Sequence, residues 1–197
     1  MKTRYAGLAI LLASASRLVL AHTGSAPHAH GESVFLSGLT HPFFGLDHLL
    51  AMLAVGLWAA QAGGRAAWAL PAAFLSVMAL GGALGLNGVE LPLVEAGILA
   101  SVFVLGLAIL FAMKAPLYAS LPLVALFALF HGHAHGAEAA GHSGWAYGAG
   151  FVLATAMLHG AGVGLGLALR GERKTYALRA AGGAVAAAAV LMAVGWL

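Results

Sequence analysis

The sequence contains no cysteine and few charged residues. Charged side chains make up 8% of its 197 residues, whereas soluble domains contain about a quarter. Without cysteine, disulfides and thiolate metal ligands are excluded, so a bound metal would have to use imidazole, carboxylate, thioether, backbone or water ligands. There is no nucleotide-binding motif, and the scattered basic residues give no indication of a nucleic-acid partner.

The sequence is instead rich in hydrophobic residues, which make up 62% of the chain. Long apolar runs predict an all-α integral membrane protein with the lipid bilayer as its environment. Residues 1–21 begin with Lys2 and Arg4, continue through a short apolar core and end on the small-residue site Val19–Ala21. This pattern predicts a cleavable signal peptide, with an uncleaved anchor helix as the alternative.

The remainder divides into a polar, His-containing periplasmic arm at 22–40 and a transmembrane domain at 41–197. A short interfacial piece is expected around 34–39, at the end of the arm. Spans of about 20 residues cross the hydrocarbon core, and six are predicted, at about 42–60, 66–86, 93–113, 116–137, 145–169 and 177–197.

Basic residues predict the orientation of these spans. All Lys and Arg of the mature chain fall between or beside spans on one side, namely Arg65, Lys114, Arg170, Arg173, Lys174 and Arg179. The positive-inside rule assigns this side to the cytoplasm. Both mature termini then face outward, and a bacterial inner membrane is the expected location.

Glycine and tryptophan give further local expectations. Gly81-x-x-x-Gly85 and the alternating run 160–166, with glycine at each even position, are patterns of close helix packing, with a special role in opening a path as the alternative. Trp58, Trp68 and Trp145 lie near predicted helix ends and are expected to be interfacial anchors.

Ionisable residues inside apolar runs are functional candidates because they are costly in a bilayer. The first such group is His41, Asp47 and His48, at the start of span one. On one continuous helix His41 and His48 share a face but lie about 10 Å apart along the axis. We therefore interpret His41 as a ligand at the outer mouth, and we expect either Asp47 or His48 to orient the other by a hydrogen bond.

The second group ends span four. His131, His135 and Glu138 follow the i, i+4, i+7 spacing of one helix face, while His133 points to the opposite face and is a weaker candidate. Spans one and four are antiparallel, so both groups occupy one layer of the membrane. The sequence predicts that they meet and form a metal site.

Imidazole and carboxylate without thiolate suit Ni²⁺, Co²⁺, Zn²⁺ or Cu²⁺ better than Mg²⁺ or Ca²⁺. Affinity order favours copper, so ligand type does not identify the ion. Binding should weaken below about pH 6, where imidazole becomes protonated. His22, His28 and His30 are candidates for metal capture, with a flexible linker as the alternative. Glu95 and His159 are candidates for an inward path, and the alternative for His159 is a structural hydrogen bond.

The two motifs, His41-x5-Asp47-His48 and Phe130-His131-Gly-His-Ala-His135-Gly-Ala-Glu138, together resemble those of the HupE/UreJ family. The first is also similar to the His-x4-Asp-His signature of the larger nickel/cobalt transporter family, with one extra spacer residue. The resemblance implies a secondary nickel or cobalt permease serving hydrogenase or urease maturation. It also implies that the transport-essential positions are His41, Asp47, His48, His131, His135 and Glu138.

The expected function is thus non-enzymatic import of a divalent metal, most simply nickel, with no permanent cofactor. A membrane metalloprotein or enzyme holding a fixed metal or haem is the first alternative, and a metal sensor or chaperone subunit is the second. The sequence leaves open whether the chain forms a homo-oligomer or receives its ion from a metal-delivery partner.

Overall fold

The computed structural model describes residues 33–139, 144–169 and 171–197, with the backbone alone at 172 and 173. The predicted signal peptide and the arm histidines His22, His28 and His30 lie outside the described residues. Every regular element described is helical: α1 Val34–Thr40, a 3-10 turn His41–Phe43, α2 Leu46–Ala62, α3 Ala66–Leu86, α4 Val94–Leu110, α5 Leu117–Glu138, α6 Gly144–Ala168 and α7 Glu172–Ala193.

The six longer helices, α2 to α7, lie where the apolar runs predicted helices. Four of them are long and apolar enough to cross a membrane: α3, α5, α6 and the 174–193 part of α7. The pair Val34–Phe43 and Leu46–Ala62 passes the same test jointly but is bent by 76°. The α4 helix, with 17 residues, is shorter. The chain is therefore a multi-pass membrane protein.

Glycines bring α3 and α5 into backbone contact. A Cβ at Gly132 would lie 2.0 Å from the Met78 carbonyl oxygen, and one at Gly136 would lie 2.1 Å from that of Gly82. The predicted close-packing motif Gly81-x-x-x-Gly85 is confirmed, because a Cβ at Gly85 would lie 2.3 Å from the carbonyl of His133. Residue numbers rise together along this contact, so the two helices run parallel.

In the glycine run 160–166 of α6, only two of the four glycines pack against another helix. A Cβ at Gly162 would lie 2.4 Å from the Leu53 carbonyl of α2, and Gly166 packs on Ala60 of the same helix. Gly160 and Gly164 face open space, with nothing within 4 Å of an added Cβ. The expectation of close packing along the whole run is therefore wrong at these two positions. Helix geometry explains this, because residues two apart point to nearly opposite sides.

Side chains from α2 and α7 cap the C-terminal end of α4, where backbone carbonyls lack helical partners. Trp58 Nε1 donates to Met113 O at 3.0 Å, Gln61 Nε2 donates to Ile109 O at 3.1 Å, and Arg179 Nε donates to Leu110 O at 2.7 Å. Trp58 is 1% exposed, so it is not the interfacial anchor that its position near a helix end predicted. Trp68 and Trp145 are largely exposed.

Candidate metal centre

A break in the chain before α2 determines where His41 lies. The 3-10 turn His41–Phe43 ends at Phe44, and Gly45 is extended before α2 begins at Leu46. The continuous first span expected from residue 42 is thus incorrect, and so is the separation of about two turns between His41 and His48. The bend of 76° folds His41 back, so that its ring centroid lies 4.8 Å from that of His135.

All six residues predicted for the metal site come together, and we call them the metal cluster. They are His41, Asp47, His48, His131, His135 and Glu138. The N-terminal turn of α2 and its preceding turn supply one half, and the C-terminal turns of α5 supply the other. His135 is central, because its ring contacts those of both His41 and His48.

Three members form an outer triad at the edge of the metal cluster: His41, His135 and Glu138. Glu138 Oε2 lies 3.5 Å from His41 Nε2 and 3.3 Å from His135 Nδ1. One ligand atom from each residue falls within 4.8 Å of the other two, a spacing that suits shared binding of one ion. The side chains of His41 and Glu138 are 39% and 42% exposed, so this part of the cluster is open to solvent.

The inner pair, His48 and His131, lies deeper. Their ring centroids are 4.7 Å apart, and the two residues are 5% and 0% exposed. The His48 centroid is also 4.3 Å from that of His135. The metal cluster thus runs continuously from a solvent-exposed triad to a buried pair of imidazoles.

Hydrogen bonding determines which ring nitrogen of His48 keeps its lone pair. Asp47 Oδ1 lies 2.8 Å from His48 Nδ1 and accepts from the His48 backbone N–H at 2.7 Å. The carboxylate therefore holds the proton on Nδ1 and leaves a lone pair on Nε2. Nε2 is buried and has no hydrogen-bond partner among the described residues. The predicted orienting contact between these neighbours is confirmed.

Ser101 of α4 has the same effect on His131. Its hydroxyl donates to the Ile98 carbonyl at 2.6 Å and lies 2.8 Å from His131 Nε2. A serine hydroxyl has one hydrogen, so Nε2 of His131 must donate and Nδ1 keeps the lone pair. That Nδ1 is also buried without a described partner. Ser101 was not predicted from the sequence. The one feature that could have pointed to it is its hydroxyl group inside an otherwise apolar helix.

Three other predicted candidates are not part of the metal cluster. His133 Nε2 lies 2.6 Å from Val89 O, so this histidine fastens the α3–α4 connection, in agreement with its predicted opposite face. Glu95 is exposed in the first turn of α4, where its charge complements the helix dipole. His159 is buried on α6, and its ring centroid lies 5.0 Å from that of Phe74.

Apolar and aromatic groups enclose the metal cluster laterally. The Phe151 ring centroid is 3.9 Å from that of His135, and Tyr147 lies 5.8 Å from His41. A cavity of about 520 Å³ between α3, α5 and α6 reaches His135, and its lining is otherwise almost entirely apolar. A hydrated ion would therefore approach the cluster past the polar, exposed groups of His41 and Glu138.

The cluster offers oriented imidazole lone pairs and carboxylate oxygens, a donor set that would suit Ni²⁺, Co²⁺, Cu²⁺ or Zn²⁺. Asp47 and Ser101 hold the opposite ring nitrogens of His48 and His131, an arrangement that is usual for histidines that bind metals.

Comparisons with known proteins agree with this geometry. A family model described as HupE / UreJ protein matches residues 9–192. The protein named HupE from Rhizobium leguminosarum bv. viciae is 45% identical over 193 residues, which cover 98% of this chain and 100% of that relative. No solved structure matches the chain. The matched range includes every residue of the metal cluster, and the chain belongs to the HupE/UreJ family.

Proposed function

We propose that this protein is a secondary permease that imports nickel, with cobalt as the second candidate, from the periplasm to the cytoplasm. The observation that carries the proposal is the graded exposure of the metal cluster. His41 and Glu138 are open to solvent, His48 and His131 are buried, and His135 contacts both sides. An ion captured at the outer triad can pass to the inner pair by exchanging one ligand at a time.

Family membership supports transport over a fixed-metal role. Two motifs carry the resemblance to HupE/UreJ sequences, and this resemblance implies nickel or cobalt as the ion. The same two motifs form the metal cluster. A haem held by two of these histidines is disfavoured. Axial ligands lie on opposite faces of a flat macrocycle, whereas these rings pack edge to face with centroids 4.3–4.8 Å apart.

We further propose six membrane crossings, with the metal cluster at the periplasmic side of a bacterial inner membrane. The 17 residues of α2 and of α4 lie at the lower end of the range of about 17–25 residues for a spanning helix. Alternating crossings require parallel α3 and α5, parallel α2 and α6, and antiparallel α4 and α7. The glycine contacts of these three pairs run in those directions.

The charge distribution supports the same orientation. Arg65, Lys114, Lys174 and Arg179 lie at the end of the helices opposite the metal cluster. The positive-inside rule makes that end cytoplasmic. The arm that follows the proposed signal peptide then belongs to the periplasmic side, where its residues His22, His28 and His30 are proposed to collect the ion.

The membrane potential is a sufficient energy source for such transport. A cation that moves inward gains about 2.3 kcal/mol per charge for each 100 mV, and a divalent ion gains twice as much. Neither a permanent cofactor nor an enzymatic step is part of the proposal.

Uptake of radioactive nickel by cells that express the protein tests the proposal. We expect His48→Ala and His131→Ala to abolish uptake while the protein remains inserted in the membrane. The matched control is His133→Gln, which keeps an N–H donor for the Val89 carbonyl and lies outside the metal cluster. It should retain uptake in proportion to the amount of inserted protein.

Two results would contradict the permease function. One is equal uptake with and without the inner pair. The other is purified protein that holds one metal ion in slow exchange and gives no flux in proteoliposomes, which would favour a metalloprotein with a fixed ion.

A further inference from the structure

We infer that Thr155 and His159 of α6 form an inner station for the transported divalent metal ion, next to the ring of Phe74, which also contacts the metal cluster. This inference rests on the proposed permease function and adds a second site to it. The first observation is a group of buried polar atoms. Thr155 is 0% exposed and His159 is 2% exposed. Thr155 Oγ1 and both ring nitrogens of His159 have no hydrogen-bond partner among the described residues.

Such atoms require an explanation. A buried polar group left without a partner costs about 1–3 kcal/mol, and natural proteins contain few of them. Threonine in a helix commonly bonds the carbonyl four residues earlier, but the hydroxyl of Thr155 does not. Three such atoms on adjacent turns of one helix indicate a site for a polar or charged ligand.

The position on α6 puts this pair in line with the metal cluster. Residues four apart are neighbours on one side of a helix, and Tyr147, Phe151, Thr155 and His159 follow that spacing. The first two already contact the cluster, through His41 and His135 respectively. The last two continue the same side of α6 by one and two further turns of about 5.4 Å each.

Phe74 joins the two regions from the α3 side. Its ring centroid lies 5.7 Å from that of His131 and 5.0 Å from that of His159, and the residue is 0% exposed. A single aromatic ring therefore contacts both His131, the most buried histidine of the metal cluster, and His159. On the proposed path, an ion that leaves the inner pair passes this ring and meets His159 next.

The donor set of the inner station suits transient binding. One imidazole and one hydroxyl provide fewer and weaker ligands than the metal cluster, so bound water would complete the coordination of a nickel ion. Conduction requires sites that bind strongly enough to admit an ion and weakly enough to release it. An inner station of this kind lets the ion leave the imidazole-rich cluster without crossing the apolar part of the helices uncoordinated.

The test measures nickel flux and nickel binding separately in the full-length protein. Flux is followed in proteoliposomes that contain a fluorescent chelator, and equilibrium binding is followed by calorimetry in detergent. We expect His159→Ala to lower flux by at least about tenfold, equivalent to about 1.4 kcal/mol in the barrier. The affinity of the metal cluster for nickel should stay within about twofold, a difference well below one tenfold step.

A second pair of variants makes the test independent of any folding defect in His159→Ala. Thr155→Val keeps the side-chain shape but removes the hydroxyl, and it should also lower flux. Thr155→Ser restores the hydroxyl and should recover most of the lost rate. Met157→Ala is the matched control, because Met157 lies on the same helix but is 58% exposed.

Wild-type flux in both His159→Ala and Thr155→Val would overturn the inner station and leave the permease intact. The same holds if Thr155→Val and Thr155→Ser lower flux equally, since the hydroxyl would then be irrelevant. Failure of the permease itself has a different signature, in which wild-type protein binds nickel but gives no flux.

Discussion

Asp47 and His48 are joined by a hydrogen bond that determines which nitrogen of His48 keeps a lone pair. Asp47 Oδ1 and His48 Nδ1 are 2.8 Å apart, and the same oxygen accepts the backbone N–H of His48. Asp47 lies in the first turn of α2, where a carboxylate interacts favourably with the helix dipole. The carboxylate would therefore act on a bound metal through its neighbour, by keeping Nε2 of His48 as the lone-pair nitrogen.

This contact predicts unequal effects of two substitutions at Asp47. Asp47→Ala removes the acceptor and should weaken nickel binding by about 10–100-fold, the range found when such supporting groups are lost. Asp47→Asn keeps an oxygen that accepts from Nδ1 and should weaken binding less. Isothermal titration of the purified protein with nickel measures both. Equal affinity in all three proteins would show that Asp47 does not orient His48.

Ser101 provides the corresponding prediction for His131. Ser101→Ala removes the hydroxyl that accepts from His131 Nε2, so either nitrogen can then carry the proton. We expect nickel affinity to fall by about tenfold, measured by the same titration. Ser76→Ala is the control, because Ser76 is exposed on α3 and its hydroxyl bonds only the Ala72 carbonyl of its own helix. Unchanged affinity in Ser101→Ala, or an equal loss in Ser76→Ala, would contradict the assigned role of Ser101.

Gly45 gives a steric prediction at the same site. A Cβ at this position would lie 3.1 Å from Asp47 Oδ1 and 3.3 Å from His48 Nδ1, which is tighter than ordinary contact. Its φ of −87° is accessible to alanine, so the backbone itself is not strained. Gly45→Ala should therefore displace the Asp47–His48 pair and lower nickel affinity by a factor on the order of ten.

The control for Gly45→Ala is Gly148→Ala, because an added Cβ at Gly148 meets nothing within 4 Å. Calorimetry of the two variants should separate them, with near wild-type affinity for Gly148→Ala. If both bind nickel like the parent protein, the cluster tolerates the displacement and the geometric argument is incorrect.

Helix packing predicts opposite signs for two glycine substitutions. Gly132→Ala drives a methyl group against the Met78 carbonyl of α3, and overpacking of this kind costs about 1–3 kcal/mol of unfolding free energy. Gly160→Ala places its methyl group in open space on α6 and should gain about 0.5–1 kcal/mol from the better helix propensity of alanine. Thermal unfolding in detergent measures both.

A rise in Tm for Gly132→Ala would mean that α3 and α5 are not in backbone contact. A fall for Gly160→Ala would mean that another surface covers this part of α6.

The grouping of the cluster residues was predictable because an apolar helix contains few ionisable side chains. Asp47, His48, His131 and His135 are costly groups in a bilayer, and few alternatives compete as candidates. Ser101, Phe74 and Thr155 were not predictable in the same way. A single hydroxyl or aromatic residue is common in apolar helices, and only its neighbours in space give it a role.

The predicted distance between His41 and His48 was wrong because it assumed one continuous, straight helix. His41 and His48 are seven residues apart, which on one helix would separate them by about two turns. The chain instead breaks at Phe44 and Gly45. A sequence window that is apolar throughout does not reveal such a break. The glycine run of α6 was ambiguous for a related reason, since composition does not show which face meets α2.

By itself the sequence determined the helices and the residue types of the metal cluster, because hydrophobic length and helical spacing are local properties. The tertiary structure decided which atoms meet. It brought His41 back to His135, placed Ser101 against His131 and packed Phe74 against both His131 and His159. These contacts depend on the bend before α2 and on the close approach of glycine-bearing helices, which are properties of several segments packed together.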